Sequence, residues 1–257
     1  MRKTAVTLTV FTLVLGVFGA FLRWLQTINA FDETTGCLIP GSGTTLVFVL
    51  YCILAAAAIC ALTLGWLRRY DCAADAAALH CDSMIPTVLG WIFCALFLVA
   101  SVVTLFTAHQ ARYPLMQRLL GAFGILAALS LPIVIGKNRS GSSVGRTAAA
   151  VATLFFCFWL ICSYRMNAED PVVWNFAVEI LALACSTVAF YYLAAFHFGA
   201  GHGRRALLAV QLAVFFDLAT LFDNRGTAAL VMLVVTAAVL LTAEYLILSN
   251  LRDNSEP

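Results

Sequence analysis

The chain has 257 residues, 63% of them hydrophobic and only 11% charged, with a formal net charge of +2. A soluble domain carries about 25% charged residues, so this composition excludes an ordinary soluble enzyme and matches a polytopic membrane protein. The small net charge gives no basis for a nucleic-acid partner, and the partner that the composition implies is the lipid bilayer.

Eight apolar runs follow one another: Ala5–Leu25, Thr44–Leu67, Ile85–Phe106, Met116–Gly136, Val144–Tyr164, Val172–Phe196, Ala206–Phe222 and Ala228–Leu248. Each reaches the roughly 17 residues that a spanning helix needs. The runs are continuous rather than alternating, which predicts helices and not barrel strands. The expected fold is an all-α integral membrane bundle of about eight transmembrane helices. It occupies residues 1–257 as one domain, with no soluble domain. The seventh run is the shortest and the sixth the longest, so the sixth is expected to tilt or project. Pro132, late in the fourth, is expected to kink it.

Orientation follows from the basic residues between runs. One set of connections holds Arg2, Lys3, Arg68, Arg69, Lys137, Arg139, Arg146, Arg204, Arg205 and Arg252, and the other holds Arg23, Arg112, Arg118, Arg165 and Arg225. The excess on the first set predicts both termini in the cytoplasm. Met1-Arg2-Lys3 before an apolar stretch also fits a signal peptide. The run continues past poor cleavage positions at Gly19 and Ala20, which favours a retained helix. Six of the nine cysteines lie within apolar runs and act as small hydrophobes. Cys72 and Cys81 fall in a cytoplasmic connection, and Cys37 is alone outside, so no disulfide is expected.

The sixth run is the stretch that the others must serve. Asn175, Glu179 and Ser186 fall at i, i+4 and i+11, with Ala182 between, and so share a helical face. Glu179 lies about 10 Å below the outer edge and Asp217 about 8 Å below it. A charge at such depth costs at least about 2.5 kcal/mol. Arg23, near the outer end of the first run, is the cation expected within reach of Glu179 or Asp217, or in one polar pocket with both. Two readings follow. Arg23, Asn175, Glu179 and Asp217 form a ligand-binding site for a small solute or ion, or the charges form an internal clamp that fixes helix packing.

The remaining polar features read more plainly. Glu244 is expected at the inner boundary, in a salt bridge or in solvent, and Gln211 is expected to hydrogen-bond a neighbouring helix. Asp32, Thr34, Thr35 and Gly36 read as a turn. Asp71, Cys72, His80, Cys81 and Asp82 cluster, but Cys-x8-Cys is not a metal-ligand spacing, and Ala73–Leu79 between them reads as a short interfacial helix. Gly203-Arg204-Arg205 opens a helix and serves as a positive anchor or a lipid-phosphate contact. Gly141-Ser142-Ser143-Val144-Gly145 matches the nucleophile-elbow pattern by letters alone, because it joins two membrane helices and no strand precedes it. The pairs Gly16/Gly19 and Gly121/Gly124 are spaced by three and fall short of the GxxxG packing motif.

Leu22-Arg23-Trp24-Leu25-Gln26, Phe31-Asp32-Glu33-Thr34-Thr35-Gly36 and Gly203-Arg204-Arg205-Ala206 resemble segments of uncharacterised multi-pass membrane proteins of Gram-positive gut bacteria. The resemblance implies a location in the bacterial plasma membrane and no particular activity. Two function classes therefore stand: a small-solute or ion permease or its membrane subunit, and a non-transporting scaffold or sensor. An intramembrane enzyme ranks third, for want of a nucleophile, base or metal set, and no cofactor is implied.

Overall fold

The computed structural model describes residues 2–32, 37–65, 70–81, 83–136, 142–223 and 225–253. The helices are α1 (Arg2–Asn29), α2 (Gly43–Cys60), α3 (Ile85–Thr107), α4 (Pro114–Val134), α5 (Ser143–Asn167), α6 (Ala177–His197), α7 (Gly203–Ala219) and α8 (Thr227–Ser249). Seven are long and apolar enough to cross a membrane; α7, at 17 residues, is the short one. The chain is thus an all-α, multi-pass membrane bundle. Successive helices run antiparallel, so Arg2 and Arg252 lie at one end of the bundle, here the terminal end, and Arg23 lies at the other.

Local chemistry sets several boundaries. Pro86 and Pro114 stand in the first turns of α3 and α4, where a missing backbone N–H costs nothing. Ser142 caps α5 by accepting from Gly145 N at 3.1 Å, so the Gly/Ser segment acts as a helix start. Gly141 itself lies outside the described residues. α2 does not stop at Cys60 but loosens into a π-helical stretch, Ala61–Gly65, which completes its span to 23 residues.

α3 to α8 pack in sequence order and close into a ring, with α8 returning against α3; α1 covers α7 and α8, and α2 lies on α1 and α7. The most enclosed element is α7. Thirteen of its 17 residues are buried, and alanines at 206, 209, 213 and 219 let neighbours approach. The sixth run is therefore not the one the bundle surrounds. It is not the longest helix either, since α6 has 21 residues and α1 has 28. A helix enclosed to this degree needs no broad lipid-facing stripe.

The ring core is aromatic. Phe156 stacks on Phe190 with centroids 4.3 Å apart, and Phe155 meets Phe97 edge-on at 5.5 Å. Around the bundle, Leu54, Val99, Leu181 and Val188 face outward as an apolar girdle. α3 and α4 approach most closely through glycines: a Cβ on Gly121 would come 2.8 Å from Leu105 N, and one on Gly90 would come 3.0 Å from Pro132 Cα. The three-residue glycine spacing thus does serve packing, because i and i+3 share a helical face as i and i+4 do. Gly16 likewise seats Leu218 of α7.

At the terminal end, the expected helix within Ala73–Leu79 is a single 3-10 turn, Ala76–Leu79, begun by Asp75, whose Oδ1 accepts from Ala77 N at 3.3 Å. Alanine side chains buried under α6 and α8 hold it, and Asn250 Nδ2 donates to Ala78 O at 2.9 Å and His80 O at 2.8 Å. Tyr70–Asp71 pairs antiparallel with Arg252–Asp253. At the opposite end, Asp32 N donates to Cys37 O at 3.0 Å. The turn expected at Thr34–Gly36 and the residue Asp82 lie outside the described residues.

Candidate functional site

Four segments converge at the Arg23 end: the last turns of α1, the connection from Ala168 to Phe176, the first turn of α6 and the α7–α8 turn. Arg23 is 1% exposed. Its Nε donates to Asp223 Oδ1 at 2.6 Å, Nη1 to Gln26 Oε1 at 2.7 Å and Nη2 to the Trp174 carbonyl at 2.7 Å. Its guanidinium also lies 5.7 Å from the centroid of the Phe48 ring. Asp223 Oδ2 accepts from Arg225 Nη2 at 2.8 Å. Arg225 Nη1 reaches Thr220 Oγ1 at 3.2 Å, and its Nε stands 3.1 Å from Glu179 Oε2, close enough for ion pairing but not aligned as a hydrogen bond. Glu179 Oε1 accepts from the Ser163 hydroxyl at 2.6 Å.

The result is a ladder of alternating sign, Arg23–Asp223–Arg225–Glu179, with no net charge. Mutual pairing is what makes four ions tolerable here, because desolvation costs several kcal/mol per ion unless the geometry repays it. The ladder forms one wall of a cavity of about 750 Å3. Thr104, Thr107 and Gln117 line the α3–α4 side, and Asn167, Asp170 and Asn175 line the rim. Gln117 Oε1 is buried without a hydrogen-bond partner. At the edge, Arg112 pairs with Glu169 Oε2, and Tyr113 O–H donates to Glu169 Oε1 at 2.7 Å. That phenol hydrogen bond, and then the Arg112 charge, hold the Glu169 carboxyl below its usual value; the same bond pushes the Tyr113 phenol up.

Of the residues expected at a site, Arg23 and Glu179 share the cavity but do not touch, being joined through Asp223 and Arg225. Asn175 lines the cavity rim from a 3-10 turn, Val173–Asn175, before α6 begins, and its amide donates to Asp170 Oδ2 at 2.9 Å. Asp170 also accepts from Val172 N at 2.8 Å, which holds the chain in a turn and delays the helix past Pro171. Asn175 is accordingly exposed and not on the buried face of α6. That face is otherwise as expected: Ser186 is fully buried and the Glu179 side chain is 14% exposed, against 45% for Leu181 and 47% for Val188.

Asp217 does not join Arg23. It is fully buried between α7 and α6, where the Ser186 hydroxyl lies 3.0 and 2.9 Å from its two oxygens. α7 ends two residues later, and it is the following turn that carries Asp223 to Arg23. Asp223 and Arg225 were not singled out by sequence because they follow the seventh run and read as loop charges. The available signal was opposite charges two apart in a short turn between spans.

Glu244 is also not where the boundary reading puts it. It is fully buried where α8 meets α1 and α7, and its Oε1 accepts from Thr12 Oγ1 and Gln211 Nε2, both at 2.8 Å. Gln211 Oε1 in turn accepts from Thr63 Oγ1 at 2.7 Å, so Gln211 does bond neighbouring helices. Among the described residues no three His, Cys, Asp or Glu side chains gather as a metal-binding group. No family model, curated protein or solved structure matches this chain.

Proposed function

We propose that this membrane protein binds a small polar solute in the cavity at the Arg23 end and acts as a permease or the membrane subunit of one. The observation that carries the reading is that buried charges line an open cavity of ligand-site size, rather than being sealed from it. In the cavity wall Arg23 and Arg225 balance Asp223 and Glu179, and at the edge Arg112 is balanced by Glu169. A solute with net charge would leave an excess charge in a poorly solvated site, so the favoured solute is neutral or zwitterionic. The excess of basic residues at the terminal end supports cytoplasmic termini and a cavity that opens outside. Placement in a bacterial plasma membrane rests on the resemblance of the segments around Arg23 and Arg204.

A second reading has its own support. Every member of the ladder has a partner within the chain, as in a scaffold whose charges only fix helices. One experiment separates the two. Purified protein is screened by thermal unfolding in detergent against zwitterionic, neutral polar and net-charged small molecules, and hits are tested for uptake in proteoliposomes. For the permease, a neutral or zwitterionic compound stabilises by about 2.7 kcal/mol at a hundredfold excess over Kd, and Glu179→Gln removes that gain while leaving the unliganded protein folded. Absence of any stabilising compound and of any uptake, with a folded protein, favours the scaffold.

A further inference from the structure

The uncharged lining of the cavity at the Arg23 end has one chemical bias. Thr27 Oγ1 donates to Trp24 O at 2.8 Å, Thr104 Oγ1 to Ala100 O at 2.9 Å and Thr107 Oγ1 to Val103 O at 2.9 Å. A hydroxyl has a single proton. Each of these three spends it on its own helix and keeps only lone pairs for the cavity it lines. Gln117 lines the same cavity, and its Oε1 has no hydrogen-bond partner among the described residues. An acceptor with no bond inside the chain gives up none when a ligand takes it. The ladder offers little to balance this. All three Arg23 nitrogens have partners, and Thr220 and Asp223 take the two terminal nitrogens of Arg225.

A ligand matched to such a lining must bring donors and few acceptors. A hydroxyl brings one donor together with two lone pairs, which would meet further lone pairs here. A primary ammonium brings three donors and no acceptor, and its charge strengthens each bond that it makes. The opposite charge of a net-neutral ligand has its own place. Arg112 stands between Thr107 and Gln117 in the chain and lines the cavity edge, with its side chain 59% exposed. Its Nη2 pairs with Glu169, and a guanidinium has five donors, so the fork has further donors to offer there.

We propose, resting on the solute-binding reading of this cavity, that its solute is a small zwitterion with a primary ammonium. The ammonium is set against Thr104, Thr107 and Gln117, and the anionic group lies toward Arg112.

The test is titration calorimetry on the purified full-length protein in detergent. The probes are the common free L-amino acids, the N-trimethylated form and the carboxamide of the tightest binder, and glycerol and glucose as neutral hydroxyl compounds. An amino acid is expected to bind saturably. Its N-trimethylated form has the same charge but no N–H, and is expected to bind roughly ten- to a hundredfold more weakly. Gln117→Leu is expected to weaken the amino acid about tenfold and to narrow that gap. Thr107→Val, at an exposed position, is expected to act in the same direction and decides the matter if Gln117→Leu fails to fold. Arg112→Gln is expected to weaken the amino acid but not its carboxamide. Equal binding of the amino acid and its N-trimethylated form overturns the proposal, as does unchanged affinity in Gln117→Leu and Thr107→Val. Binding of glycerol or glucose but of no amino acid also overturns it, and leaves the solute-binding reading standing. Binding of no probe at all overturns it too, and the wider screen by thermal unfolding then decides the solute-binding reading separately.

Discussion

At the scale of single residues, the decisive side chain is Arg23. Its three nitrogens each have a partner, and these partners come from α1 itself, the connection before α6 and the turn before α8. Arg23→Ala leaves Asp223, whose side chain is 3% exposed, with half its compensation. The expected loss is roughly 3–5 kcal/mol in detergent unfolding, the scale for breaking a buried pair. The ladder order sharpens this. A double-mutant cycle between Arg23 and Asp223 should show coupling of roughly 0.5–3 kcal/mol. The cycle between Arg23 and Glu179 should show less, because those two never touch. Arg23 and Glu179 were legible in the sequence because a charge inside an apolar run must be explained. Asp223 was not, because a charge after such a run needs no explanation until the turn folds back over Arg23.

Glu169 supplies a pH-dependent counterpart at the surface. The Tyr113 hydrogen bond, and then the Arg112 charge, hold its carboxyl below the usual glutamate value in the folded protein. The stabilisation is therefore present above the unfolded value and is lost as pH falls through the lowered folded one. Tyr113→Phe should move the Glu169 titration back up, as read by NMR of selectively labelled glutamate. An unmoved titration would mean that Arg112 alone holds the carboxylate.

At the scale of elements, close approach decides which helices are neighbours. Gly121 lets α4 lie against the backbone of α3 at Leu105. Gly121→Ala forces that contact apart and should cost roughly 1–3 kcal/mol, the usual range for overpacking. Among the described residues, nothing lies within 4 Å of a new Cβ on Gly65, at the end of the π-helical stretch. Gly65→Ala should change stability little, and the two variants compared by thermal unfolding separate packing from helix propensity. The sequence shows the glycines but not which helix faces them. The same applies to α6, whose first predicted turn is displaced by the Asp170 hydrogen bonds, and to α7, whose short run predicts neither its enclosure nor the partners of Asp217 within it and Asp223 after it.

At the scale of the whole molecule, the antiparallel course puts Cys37 at the Arg23 end and Cys72 and Cys81 at the terminal end. If the termini are cytoplasmic, as the basic bias predicts, an impermeant thiol reagent on intact cells should modify the exposed Cys37 and spare Cys72 and Cys81. Labelling of Cys72 or Cys81 in sealed cells would reverse the orientation and turn the cavity at the Arg23 end toward the cytoplasm. The sequence by itself determined the membrane class, the number and approximate limits of the helices, and the presence of charges that need partners. Each of these follows from local composition, because lipid accepts only helices or closed barrels, continuous apolar runs mark helices, and every buried ion is penalised. Which carboxylate meets which arginine was decided only by the tertiary structure, as was the burial of Glu244 with one oxygen unpartnered. Those pairings depend on the rotation of each helix about its axis and on the path of short turns, and both are set by packing between segments up to 232 residues apart.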